Sequence, residues 1–386
     1  MPVPITTLLR PLDSAGAMPK FWAIDAAPMP FRLPLLSLAA PRHEHPTVQR
    51  PRGPDMKIRT TLAALLAATA AGAQDAPKEV SFGTNWVAQA EHGGFYQSVA
   101  DGTYEECGLS VTIVPGGPQV NNRALMLAGR IDYHMGGDML QAFNAVAENV
   151  PVVSVAAIFQ KHPQVILAHP GKASSFEDLK DLTLFIGDNG YQSFYQWMMK
   201  AYGFTAEQRQ PYTFNPAPFL ADENTGMQGY LSSEPYLVEQ EGGFKPDVFL
   251  IADAGYSTYA TTVETMADTI AESPDEVQCF VDGSIKGWYN YLYNDRSAAD
   301  ALILEANPEM TQDKIDFAVE SMKENGILVS GDAEEMGIGV ITEAQVKDFF
   351  DKMVEAGVID GGIDWQASFT TEFTGKGVGM DLMPAQ

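Results

Sequence analysis

The chain has 386 residues, more than one small module needs, and 24 Lys plus Arg against 50 Asp plus Glu give a net charge of −26. The length points to two packed lobes or domains, and the charge excludes nucleic acid or an anionic membrane surface as the main partner. Hydrophobic residues at 45%, with 10% aromatics, can build a sizeable core, which excludes a disordered acidic tail.

Residues 1–55 hold eleven of the 25 prolines and no periodic segment long enough for a domain, so they are expected to be disordered or untranslated. Met56-Lys57-Ile58-Arg59 is then a short basic stretch, 60–70 an Ala/Leu-rich apolar run, and Ala71-Gly72-Ala73 a small-x-small site. That order is a secretory signal peptide over 56–73, cleaved near Ala73, with Met56 as the expected initiator. The apolar run is shorter than the roughly 20 residues a membrane span needs. Residues 1–73 carry eight basic and four acidic groups, which leaves 16 basic against 46 acidic groups, or −30, in residues 74–386.

Beyond the leader, short apolar runs alternate with helical stretches. Strands are expected at 79–83, 109–115, 131–135 and 152–160, with helices at 93–106, 120–128 and 139–148 between them. The pattern restarts after residue 163: strands at 165–169, 183–186 and 248–252, a helical turn at 176–179 and a helix at 191–202. Two successive units of this kind imply two α/β lobes with parallel or mixed sheets. From about residue 256 the chain reads as mostly helical, at 274–294, 298–306, 311–325 and 342–356. Thr311 and Thr342 precede apolar periodicity as N-caps.

Signals for catalysis are weak. There is no nucleophile elbow, P-loop or HExxH, and Gly116-Gly117-Pro118 lacks dinucleotide-binding spacing. Cys107 and Cys279 can make at most one bridge, and spacing does not decide whether they do. His92, His134, His162 and His169 do not share a helical metal face.

The best constellation lies at strand ends, where ligands bind in open α/β sheets. Asn85-Trp86 follows the first strand, and Glu91-His92-Gly93-Gly94-Phe95-Tyr96 opens a helix whose free N–H groups and paired glycines would let a ligand approach. Tyr133-His134-Met135-Gly136-Gly137-Asp138 and Asp188-Asn189-Gly190-Tyr191-Gln192 repeat the arrangement. Tyr230 to Tyr236 adds Glu234 and two phenols beside a helix-starting proline. Aromatics from two lobes with one or two carboxylates describe a slot for a flat ring bearing amino or amide donors. Small oxyanions would want a guanidinium fork, yet Arg123 and Arg130 are the only arginines between 74 and 208, and both fall in one predicted helix.

Asn85-Trp86, Glu91 to Tyr96, Gly129-Arg130-Ile131-Asp132-Tyr133 and the Ser-Glu-Pro core of Tyr230 to Tyr236 together resemble the solute-binding proteins of ABC importers. The branch is the thiamine-pyrimidine-synthase-like and SsuA-like one, and the likeness spans about residues 79–350. The resemblance implies a type II periplasmic binding protein fold, two α/β lobes joined by crossing hinge strands near 164–169 and 256–263. It divides the chain into lobe 1 (79–163 and 257–386) and lobe 2 (164–256). It also implies a periplasmic monomer that needs no cofactor, binds a small-molecule ligand and delivers it to an inner-membrane ABC permease. The expected ligand is a flat heteroaromatic such as a thiamine pyrimidine precursor. Riboflavin-like, sulfonate, taurine or nitrate solutes are the alternatives, as is a sensor of a membrane kinase. An exported pyrimidine-synthase-like enzyme is disfavoured, because the fungal enzymes carry a cysteine-rich motif and this chain has two cysteines. The candidate ligand-binding residues are Asn85, Trp86, His92, Tyr133, His134, Asp138, Tyr191, Gln192, Glu234 and Tyr236.

Overall fold

In the computed structural model, residues 76–117 and 120–384 are described; the expected leader and its cleavage site lie outside them. The described strands are β1 (Lys78–Gly83), β2 (Leu109–Val114), β3 (Tyr133–Asp138), β4 (Val152–Phe159), β5 (Gln164–Ala168), β6 (Thr183–Ile186), β7 (Arg209–Pro211), β8 (Thr225–Tyr230), β9 (Asp247–Leu250) and β10 (Ala260–Met266). They form two five-stranded sheets, ordered β2-β1-β3-β10-β4 and β7-β6-β8-β5-β9. In each sheet one strand runs against its neighbours: β10 is antiparallel to β3 and β4, and β5 to β8 and β9. The chain passes between the sheets twice, at 160–163 on the way out and at 251–259 on the return. Two mixed α/β sheets with two crossings are the expected fold class. The outward crossing falls before 164–169, because Gln164–Ala168 is itself a strand paired on both sides within the second sheet.

Burial explains why β4 and β5 read as near-continuous apolar runs. Val155 to Phe159 and Val165 to Ala168 are fully buried: β5 is central in its sheet, and β4, at the edge of the other, is covered by Gly339 and Phe369, which bridge Ala157 and Ser154. β8, with the sequence TGMQGY, has no such signature, and neither it nor β7 is visible as a strand in the sequence pattern. The helix expected at 93–106 stops at Ala100, where Gly102 turns the chain at φ 76°. The helix expected at 191–202 is broken at Ser193 into Asp188–Gln192 and Phe194–Tyr202. Thr311 and Thr342 do cap their helices, accepting from the N–H of Lys314 and of Gln345.

The longest described helix, Pro274–Tyr293, buries Val277, Phe280, Val281, Ile285 and Trp288 against the first sheet. It packs so closely on Gly93–Ala100 that a Cβ at Gly93 would lie 2.0 Å from the Tyr291 ring, and one at Gly94 2.2 Å from the indole of Trp288. This glycine pair thus serves helix-to-helix packing rather than ligand approach, the role its sequence suggested. The same long helix is tied to the segment before β2 by a disulfide between Cys107 and Cys279, with a Cα–Cα distance of 5.9 Å. No helix among the described residues is long and apolar enough to cross a membrane.

Candidate functional site

A cavity of about 410 Å³ is lined from both sheets. The first contributes Asn85 and Trp86 just past β1, Met135 from β3 and Thr261 from β10. The second contributes Asn189 past β6, Tyr212 and Phe214 past β7, and Gln228 to Tyr230 at the end of β8. The cavity therefore sits at the carboxyl ends of the parallel strands β1, β6, β7 and β8, where side chains leave the sheet without a strand neighbour to pack on. Phe214 (φ 61°) and Thr261 (φ 48°) are two of the three described non-glycine residues with positive φ. Backbone strain of this kind, on the order of 1–3 kcal/mol per residue, collects at binding sites.

Aromatic faces and neutral amides dominate the wall. Trp86 is 39% exposed and Phe214 68% exposed, both unusually open for large apolar groups. Gln228 accepts from the Gly187 N–H at 2.7 Å with its Oε1, and its NH₂ has no protein acceptor among the described residues. Gln164 donates to the Gly229 carbonyl at 2.6 Å. The described lining includes no lysine or arginine.

Two carboxylates enter from opposite sheets. Glu91 is buried, and burial raises its pKa; its Oε1 accepts from the Ser232 hydroxyl, a hydrogen bond that joins the two lobes directly. Glu234 accepts from the Tyr230 N–H and from the Ser233 hydroxyl, each at 2.6 Å, and burial raises its pKa as well. His92, next to Glu91, is fully buried with neither ring nitrogen hydrogen-bonded, and burial pushes its pKa down to about 3. It is a neutral, unpartnered imidazole in the cavity wall.

A second cavity, of about 290 Å³, shares Trp86, Gln89, Glu91, Ser233 and Glu234 with the first and extends to Tyr236, Asn307, Met310 and Lys314. A more open depression of about 680 Å³ lies elsewhere, between the helix Met139–Ala147 and residues 358–364, and no strand end reaches it.

Five of the ten expected ligand residues line the two shared cavities: Asn85, Trp86, His92, Glu234 and Tyr236. The other five do not. Tyr133 is in the core, its ring stacked 4.2 Å from Phe280 and its hydroxyl donating to Glu276, because it is the first residue of β3 and so stands at the strand's amino end, away from the edge where the cavity opens. His134 lies 3.2 Å from Glu264, which also accepts from Arg123, so its charge partner is internal to the first lobe. Asp138 caps the helix Met139–Ala147 and sits 3.9 Å from His162 at the outward crossing. Tyr191 lies under the Arg209 guanidinium, 5.0 Å from the ring centroid, and Gln192 is exposed beside it. The residues that sequence reasoning passed over are Gln164, Gln228, Tyr212 and Phe214. All stand on or beside β5, β7 and β8; recognising β7 and β8 as strands is the missing signal for Gln228, Tyr212 and Phe214, while Gln164 stands one residue before the expected strand.

The chain is 24% identical over 346 residues to the riboflavin-binding protein RibY of Chloroflexus aurantiacus, covering 82% of this chain and 92% of that one. Among solved structures, the putative periplasmic sulfonate-binding protein SsuA of Methylobacillus flagellatus KT superimposes with a TM-score of 0.53 at 14% identity, over 77% of this chain and 92% of its own. The periplasmic nitrate-binding protein NrtA of Synechocystis PCC 6803 does so with a TM-score of 0.53 at 11% identity, over 80% and 92%. At these identities the two structures establish the periplasmic binding protein fold. The family described as NMT1/THI5 like matches residues 89–299, more than half of the chain, and the chain belongs to it.

Proposed function

We propose that this protein is the exported solute-binding receptor of an ABC importer, and that it clasps an uncharged, flat nitrogen heteroaromatic between its lobes. The observation that carries the reading is the composition of the 410 Å³ cavity: open aromatic faces, neutral amides and two buried carboxylates, with no lysine or arginine in its described lining. A sulfonate or nitrate would lose its hydration there without a cation to replace it. A ring with amino or imide N–H groups would find acceptors in Glu91 and Glu234 and stacking surface in Trp86.

A flavin is the first candidate, supported by the riboflavin-binding relative that spans 82% of the chain. A thiamine pyrimidine precursor is the second, favoured by Glu234, whose carboxylate suits an exocyclic amino group. Export is supported by the leader pattern at 56–73 and by the Cys107–Cys279 disulfide, a bond that persists in oxidising compartments. The test is a thermal-shift titration of the purified protein with riboflavin, 4-amino-5-hydroxymethyl-2-methylpyrimidine, ethanesulfonate and nitrate, since a ligand that binds the native state raises its melting point. Riboflavin or the pyrimidine should stabilise it and the two anions should not. Stabilisation by an anion alone would overturn the proposal.

A further inference from the structure

The second cavity is not needed to hold a ring, yet it opens from the same wall. Trp86, Gln89, Glu91, Ser233 and Glu234 line both spaces, so one molecule can occupy the two at once. At about 290 Å³ the second is the smaller and differs in chemistry. The Ser232 and Ser233 hydroxyls donate to Glu91 and Glu234 and keep lone pairs that can accept, Asn307 is held by Ala88 and Glu309, and the Tyr236 phenol stands with the apolar surfaces of Leu237 and Met310 in the same lining. Acceptors together with C–H surface suit a chain whose carbons carry hydroxyl donors.

Its charge is equally telling. Lys314 is the one cation in the described lining, and its ammonium already donates to the Glu309 carbonyl at 3.0 Å. Glu91, Glu234 and Glu309 stand in the same wall. A phosphate placed here would face carboxyl groups and only one ammonium, itself already engaged, without the guanidinium fork that anion sites use.

Resting on the flat-ring reading above, we propose that the solute carries an uncharged polyhydroxylated tail, that the second cavity holds this tail while the first holds the ring, and that Trp86 forms the partition between them. The subsite selects for the tail and against its phosphorylated form.

Three flavin probes separate the possibilities by calorimetric titration of the purified protein: riboflavin, lumiflavin (the same ring with a methyl in place of the polyol) and flavin mononucleotide (the same tail with a terminal phosphate). Riboflavin should bind about tenfold tighter than lumiflavin, the yield of one or two net hydrogen bonds. Flavin mononucleotide should bind at least about tenfold more weakly than riboflavin, with the gap narrowing as salt screens the carboxylates. Ala318→Met, which fills the second cavity from the helix Gln312–Glu324, should bring riboflavin down to the lumiflavin level and leave lumiflavin unchanged, which also reports that the variant is folded. Leu237→Trp, which adds volume from another lining position, serves if Ala318→Met does not fold. Equal affinity for riboflavin and lumiflavin, with both variants silent, would place the tail in solvent and overturn the subsite while leaving the ring reading intact. Flavin mononucleotide binding as tightly as riboflavin would overturn the selection against phosphate. If none of the three binds, the flavin reading itself fails and the subsite with it.

Discussion

Replacing Trp86 by alanine tests the first cavity most directly. The indole is 39% exposed in a bend just past β1, so on the order of 90 Å² of it is open to a ligand, given the roughly 150–250 Å² that a large aromatic side chain buries. Covering that area is worth about 2 kcal/mol at 25 cal/mol per Å², and a stacked ring adds about 0.5 to 1.5 kcal/mol. Ordering of ligand and side chains takes back a share, so Trp86→Ala should cost about 2 kcal/mol, or roughly 30-fold in Kd. The fold should survive, because the main chain here is held by its own bonds. The Trp86 carbonyl accepts from the Thr84 hydroxyl at 2.8 Å and from the Gly116 N–H at 3.0 Å, and neither needs the indole. Quenching of riboflavin fluorescence reads the affinity and a thermal melt reads the fold; the melting point should move by less than about 3 °C. An affinity within twofold of the parent at an unchanged melting point would remove Trp86 from the ligand contact. A collapse of the melting point would make it a core residue and the exposure argument wrong.

Cys279→Ser opens a bond that spans 172 residues of sequence and should lower the unfolding free energy by about 2 to 5 kcal/mol in urea; an unchanged midpoint would contradict this. Burial raises Asp138 to a pKa of about 6 from 3.8, so the folded state holds its proton across that window, and the stability it contributes is full below pH 3.8 and lost as pH rises through 6. Asp138→Asn keeps the helix cap without titrating, so the variant should match the parent below pH 3.8 and exceed it well above pH 6 by about 3 kcal/mol, whereas a pH-independent difference would refute the assignment. Glu91 is raised by burial and by the nearby Glu234, so closing the lobes around a solute should take up protons above pH 4.5; calorimetry in two buffers of unlike ionisation heat should detect this, and uptake that persists in Glu91→Gln would reject it.

The parts of the fold legible in the sequence are those that local physics writes twice. β4 and β5 are nearly all apolar because both their faces are covered, and the capped helices beginning after Thr311 and Thr342 carry both a cap and an apolar stripe. β8 was not legible, because its TGMQGY sequence trades side-chain packing for close approach: a Cβ at Gly226 would lie 2.8 Å from Leu184, and one at Gly229 2.6 Å from Glu234. The same trade hid half of the site. Trp86 is legible because it follows a strand visible in the pattern, and Glu234 because it opens a helix with a Ser-Glu-Pro start, while Gln228 stands on a strand whose role depends on partners far along the chain and Gln164 stands one residue ahead of the apolar run that marks β5. His134 and Tyr191 look like ligand groups in the sequence because polar and aromatic residues at strand ends look alike. Only the fold shows that Glu264 and Arg209 already engage them.

One position joins strain, crossing and ligand wall. Thr261 is β-branched and holds φ at 48°, a conformation that costs such a residue on the order of 1–3 kcal/mol. It is the second residue of β10, directly after the return crossing of 251–259, and it lines the first cavity. Any rotation of one sheet against the other must pass through the two crossings, since they alone carry the main chain between the sheets. A solute that touches Thr261 therefore touches the segment whose backbone angles change when the lobes move. Differential contact of that kind is what a ligand needs to favour one arrangement over another. The Glu91–Ser232 bond completes the circuit from the opposite side of the cavity: it exists only when the lobes meet, and its acceptor lies in the same wall as the ring site. If the lobes close on a solute as proposed, closure and recognition draw on the same few side chains.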